Sequence, residues 1–121
     1  MDAEALKALF EPFGAVGVRR MFGGAGVYAD GLCFAIELGG DVYLKCDAAS
    51  EPAFAAAGSA PAIYTAKGKQ IKMGYWRLVE TAYDEPEELK RWARLGLGAA
   101  RRAAAYKAKP AAVKAKARMV R

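Results

Sequence analysis

Between Ala15 and Cys46 the chain is cut into short runs by glycine, and this punctuation constrains the fold more than any other feature. The runs are residues 16–21, 27–28, 32–38 and 42–46, and the breaks are Gly23-Gly24-Ala25-Gly26, Asp30-Gly31 and Gly39-Gly40. Asp30-Gly31 and Gly39-Gly40 are two-residue turn signals, because a type I′ turn needs positive φ at both central positions. The segment therefore reads as a β-meander. A second hairpin is predicted from residues 62–65 and 70–79 about the polar turn Lys67-Gly68-Lys69, with Ile63, Tyr64, Ile71, Met73, Tyr75 and Trp76 supplying bulk that favours strands.

Helical spacing brackets the strands. Leu6, Leu9, Phe10 and Phe13 form one stripe behind a capping Asp2, and Pro12 and Gly14 end that helix. Asp47, or Ser50 with Pro52 close behind, caps a short second helix that ends near Gly58 and carries Phe54. Asp84 with Glu87 makes a capping-box pattern before a stripe of Leu89, Trp92, Ala93, Gly96, Ala99, Ala100 and Ala103, so the last helix runs past Arg101. Trp92 and Leu89 should pack on the sheet together with Leu6, Phe10 and Phe13.

With 121 residues, 55% hydrophobic and 26% charged, the chain has the size and composition of one domain with a real core. It has no histidine, which removes imidazole mechanisms and His-ligated zinc, and its two cysteines cannot build a structural zinc site alone. The start Met1-Asp2-Ala3-Glu4-Ala5-Leu6 lacks the basic and apolar parts of a secretory leader, and no stretch approaches the ~20 apolar residues that span a bilayer. The expectation is a cytoplasmic protein with both cysteines as thiols. If Gly39-Gly40 is a two-residue loop, counting back along the hairpin sets Cys33 opposite Cys46.

Charge is divided unevenly. Of 19 basic and 13 acidic residues, eight bases and no acid fall in residues 101–121, leaving 11 bases against 13 acids and a net of −2 in the first hundred. Those eight, Arg101, Arg102, Lys107, Lys109, Lys114, Lys116, Arg118 and Arg121, make a candidate nucleic-acid tail, while the bland alternative is solubility and complementing a helix dipole.

Several constellations invite a functional reading. Arg19 and Arg20 before Gly23 and Gly24 resemble an anion cradle, although no Gly-Lys-Ser/Thr follows, and the alternative is a bend or bulge. Tyr75 and Trp76 beside Lys72 and Arg77, with Tyr64 beside Lys67 and Lys69, interleave bases and aromatics as a surface that stacks bases would. Neighbours alternate faces, so Tyr75 and Trp76 cannot both point inward. Leu32 to Leu38 is apolar on both faces, which needs two covers: helices on one and a second copy of the chain on the other is one arrangement. Asp84, Glu85, Glu87 and Glu88 crowd a helix start, where the dipole accounts for them.

The residues Arg20-Met21-Phe22-Gly23-Gly24, Gly26, Tyr28, Asp30-Gly31, Phe34, Tyr43-Leu44-Lys45, Phe54, Gly58, Tyr64, Lys69, Met73, Tyr75-Trp76, Leu89 and Trp92-Ala93 resemble the amino-terminal domain of the TfoX/Sxy family over about residues 4–100. The resemblance implies a two-layer α+β domain whose antiparallel sheet has about five strands, in the order α-β-β-β-α-β-β-α. Members named for competence promote DNA-uptake genes together with a cyclic-AMP receptor protein and carry a second, helical carboxy-terminal domain, where this chain has its basic Ala/Lys segment. The resemblance brings no catalytic residue and no cofactor. The expectation is a domain over residues 1–106 and a tail over 107–121, acting without catalysis as a regulator or adaptor that contacts a protein, with nucleic-acid contact through the tail. The alternatives are a small-molecule or anion-binding domain using Arg19, Arg20 and the glycine loop, or an enzyme with Lys45 or Lys72 as its working group. The candidate surface is Arg19, Arg20, Gly23, Gly24, Lys45, Lys72, Tyr75 and Trp76.

Overall fold

The computed structural model describes residues 1–21 and 23–107, with the backbone only at 64 and 66. In chain order it comprises α1 (Ala3–Phe10), β1 (Gly17–Met21), β2 (Gly24–Ala29), β3 (Leu32–Leu38), β4 (Asp41–Lys45), α2 (Glu51–Ala56), β5 (Pro61–Ala66), β6 (Lys69–Arg77), a 3-10 turn (Glu80–Tyr83) and α3 (Pro86–Lys107). The six strands form one open antiparallel sheet in the order β1-β2-β3-β4-β6-β5. This is an α+β fold.

Local chemistry explains most boundaries. The Asp2 carboxylate accepts the Ala5 N–H at 2.8 Å and caps α1. Asp30 and Gly31 have φ of 54° and 74°, Gly39 and Gly40 of 57° and 90°, and Lys67 and Gly68 of 53° and 76°, so these three hairpins close through two left-handed residues each. The sheet has one strand more than the expected five. Gly24, Ala25 and Gly26 do not separate strands; they form the first half of β2, and the chain turns beside Gly23. The last helix starts at Pro86 rather than directly behind Asp84: Asp84 closes the 3-10 turn, and it is the Glu85 carbonyl that accepts the first helical N–H, from Leu89.

All three helices bury their apolar sides on one face of the sheet. Trp92, Phe10, Phe34, Phe54, Leu6, Leu44, Leu78, Leu89, Val27 and Val42 are its largest fully buried side chains. Phe54 lies 4.7 Å from the Trp92 ring and Phe10 5.4 Å edge-on to Phe34. Leu89 and Trp92 join Leu6 and Phe10 as expected, and Phe13 packs half-buried on Phe34 with ring centroids 5.3 Å apart.

One expectation fails through a bulge. Ala35 pairs with Leu44, Glu37 with Val42 and Leu38 with Asp41, which is the register read from Gly39-Gly40. Along β2, however, Val27 pairs with Ala35 and Tyr28 with Cys33, which leaves Phe34 as an extra residue in β3. The bulge sends Phe34 into the helix-covered core and turns Cys33 towards the opposite face, where it lines a cleft with Ile36, Met73 and Tyr75. Cys46 is buried beside Ser50, whose hydroxyl lies 3.6 Å from its sulfur. The two cysteines are free thiols but not neighbours across the hairpin.

Helix α3 approaches the bulge closely through Gly96, where an added Cβ would sit 2.9 Å from the Phe34 carbonyl oxygen and 3.3 Å from Leu44 Cβ. At Gly98 the nearest atom would be Arg102 Nη1 at 3.5 Å, an ordinary van der Waals contact. Alanine gains roughly 0.5–1 kcal/mol over glycine inside a helix. Gly98→Ala should therefore stabilise by about that amount, whereas Gly96→Ala should destabilise by about 1–3 kcal/mol as backbone contacts are forced apart. Denaturant midpoints of the two variants, moving in opposite directions, check this.

Candidate functional site

The face of the sheet away from the helices carries the candidate chemistry. Register puts Tyr43 opposite Arg77, Lys45 opposite Tyr75, and Tyr28 opposite Cys33 on this face, while Leu44 and Trp76 pair on the helix side. Three tyrosine rings each lie beside a cation: Arg19 5.7 Å from the Tyr28 centroid, Arg77 5.9 Å from Tyr43, and Lys45 5.0 Å from Tyr75. The Tyr75 hydroxyl donates to Cys33 Sγ at 3.8 Å. Burial, reinforced by Cys33, pushes the Tyr75 phenol well above its ordinary value, so it remains a protonated donor at neutral pH.

Met21, Ala25, Cys33, Ile36, Leu38, Met73 and Tyr75 line an apolar cleft of about 270 Å³ on this face. The glycines of β2 make it possible. A Cβ on Gly26 would stand 2.6 Å from Met21 Cε and 3.0 Å from the Tyr28 ring, so the missing side chain is what lets Met21 lie across the strand. A second cleft, about 320 Å³, adjoins it at Cys33 and Tyr75 and is closed on its far side by Lys45, Ala100, Ala103, Ala104 and Lys107.

The residues singled out in the sequence are only partly brought together. Lys45 and Tyr75 share the cleft wall. Arg19 lies over Tyr28, but Arg20, one residue on, points to the other face, where its guanidinium lies 3.8 Å from the Glu37 carboxylate and donates to the Met1 carbonyl. The two arginines do not converge on the glycines. Gly23 is exposed in the turn, while Gly24 is buried inside β2. Trp76 is turned into the core at 9% exposure, with Lys72 5.8 Å from its ring, because strand alternation sets it on the face opposite Tyr75. A third cleft, about 450 Å³, runs between Ser59, Arg77, Thr81, Glu88, Arg91 and Trp92. Its arginines are already matched, Arg77 with Asp41 at 3.4 Å and Arg91 with Glu88 at 3.9 Å. Among the described residues no three Cys, Asp or Glu side chains gather as a metal would require.

Comparison with known families matches residues 8–100 to the TfoX N-terminal domain. The chain belongs to that family. No curated protein matches it. The TfoX N-terminal match ends at residue 100, two turns before α3 does, and the residues that follow tie the helix to the body. Arg101 donates to Asp30 at 2.6 Å, and Arg102 clasps Asp47 through Nε at 2.6 Å and Nη2 at 2.9 Å. Arg101 and Arg102 are thus held by carboxylates of the β2–β3 turn and the segment before α2, leaving Lys107 as the last described residue of the basic run. Lys109, Lys114, Lys116, Arg118 and Arg121 lie outside the described residues. No described helix is long and apolar enough to cross a membrane.

The Arg102 guanidinium, helped by the Ser50 N–H and hydroxyl, lowers the Asp47 carboxyl from 3.8 to about 2. A carboxylate lowered by folding contributes stability above its unfolded value, and that contribution is lost as pH falls through the folded one. The pair is substantially exposed, at 51% and 33%, so screening limits it to about 0.5–1 kcal/mol. Arg102→Gln should cost that amount at pH 7. The difference from the parent should shrink between pH 3.8 and about 2 and vanish below, as read from urea midpoints across that range.

Sequence reasoning missed Ile36, Leu38, Cys33 and Tyr28 as parts of this face. Alternation alone would have put Phe34 with Ile36 and Leu38, and nothing in the local sequence marks the bulge.

Proposed function

We propose that this TfoX N-terminal domain is a non-enzymatic regulatory or adaptor domain that engages a protein of the transcription machinery through the helix-free face of its sheet. The observation that supports the reading is the three tyrosines beside Arg19, Arg77 and Lys45 on that face, since aromatic rings and arginines are enriched where proteins bind one another. The basic residues from Lys107 onward add sequence-independent affinity for phosphate.

The test is binding of the full chain to purified cyclic-AMP receptor protein and to RNA polymerase holoenzyme, with Tyr43→Asp as the face variant. Binding to either that Tyr43→Asp abolishes at unchanged melting temperature supports the reading. No binding to either at about tens of micromolar, or binding indifferent to Tyr43→Asp, overturns it. A dimer in sedimentation that Tyr43→Asp dissolves would assign the face to a second copy instead.

For the basic segment, fluorescence anisotropy with duplex DNA should show log K falling by about 0.9 per neutralised phosphate for each tenfold rise in salt. Truncation after Lys107 should abolish the binding while sparing the Arg101 and Arg102 clasps. Equal binding by both chains, or none at low salt, removes nucleic acid from the reading.

A further inference from the structure

We propose that the two adjoining clefts form one site for a small amphipathic monocarboxylate, its aliphatic or aryl body lying over Ile36, Leu38 and Met73 and its carboxylate reaching the ammonium groups of Lys45 and Lys107. The inference is independent of any protein partner.

The apolar cleft, about 270 Å³, exceeds the ~150 Å³ apolar cavity that takes up benzene. Its lining offers no carboxylate, and neither does that of the second cleft. Among the described residues Arg20, Arg77, Arg91, Arg101, Arg102, Lys7 and Lys90 each have an acidic partner; Lys45 and Lys107 are among the cations that have none, and they are the two that line these clefts. Lys45 is half-buried, its ammonium 5.0 Å from the Tyr75 ring centroid. The attraction of a partly buried cation for an incoming anion is screened less than that of a fully exposed one. The Tyr75 hydroxyl stands where the two clefts meet and can turn its one O–H from the long contact with Cys33 Sγ to the same anion. Two point charges and one hydroxyl suit a carboxylate, and no guanidinium fork, the group that best matches a phosphate, lines the clefts. The near-absence of polar groups over Ile36, Leu38 and Met73 sets the character of the rest of the ligand.

Isothermal titration of the full chain with octanoate, 1-octanol and acetate tests the proposal. Octanoate should bind saturably and at least about tenfold more tightly than octanol, which lacks the charge, or acetate, which lacks the body. Lys45→Gln should weaken octanoate about tenfold and leave octanol unchanged. Ala103→Leu, which narrows the cationic cleft from the helix surface, should weaken octanoate without lowering the melting temperature. Absence of saturable octanoate binding overturns the proposal. So does equal binding of octanoate and octanol with Lys45→Gln indifferent.

Discussion

Trp92→Ala should destabilise the domain by about 3–5 kcal/mol, lowering its melting temperature by on the order of 15 °C. Trp92 is 1% exposed and sits where α3 meets both α2 and the sheet, with Phe54 at 4.7 Å and Arg91 stacked at 4.7 Å on the ring. Removing it opens a void between rigid elements that cannot collapse together, so the loss exceeds the transfer free energy of the ring. The indole N–H finds no acceptor among the described residues. Trp92→Phe therefore retains most of the packing and deletes an unpaired donor, and should cost less than about 1.5 kcal/mol. Thermal unfolding of the pair separates the two effects; a shift of only a degree or two for Trp92→Ala would place the residue outside the core.

Gly24→Ala should cost about 3 kcal/mol or more, at the upper end of what overpacking usually exacts. A Cβ at Gly24 would lie 2.2 Å from the Glu37 carbonyl oxygen and 2.7 Å from Leu38 Cδ2. The carbonyl belongs to the neighbouring strand and cannot move without separating β2 from β3. The adjacent Gly23 is a control of a different kind. Nothing lies within 4 Å of its Cβ position, but its φ of 77° is left-handed, so Gly23→Ala should cost only about 1 kcal/mol of backbone strain. Similar losses in denaturant midpoint for the two would show that strain, not crowding, governs the glycine cluster.

That contrast shows why the cluster was misread as a separator. Glycine has two unrelated uses, positive φ and close approach, and a sequence does not distinguish them. At Asp30-Gly31 and Gly39-Gly40 the first use holds, and the turns lie where the sequence puts them. At Gly24 and Gly26 the second holds, which depends on Leu38, Met21 and Tyr28 arriving from other positions. The candidate surface divides in the same way. Lys45 and Tyr75 meet across β4 and β6, whereas Arg20 and Trp76 face the helices, both by strand alternation.

Local preferences written in the chain set the helices, the hairpin turns and the β3–β4 register, because capping, 3.6-residue spacing and left-handed pairs act over a few residues. Tertiary packing alone decided the rest. The bulge at Phe34 arises because that ring gains more by joining Phe10 and Phe13 in the core than the ladder loses by one unpaired residue, and the same displacement turns Cys33 onto the free face. The Arg101 and Arg102 clasps join residues 71 and 55 positions apart, and the cleft is assembled from β1, β2, β3 and β6. No local pattern encodes such meetings, since they depend on how the sheet and helices pack.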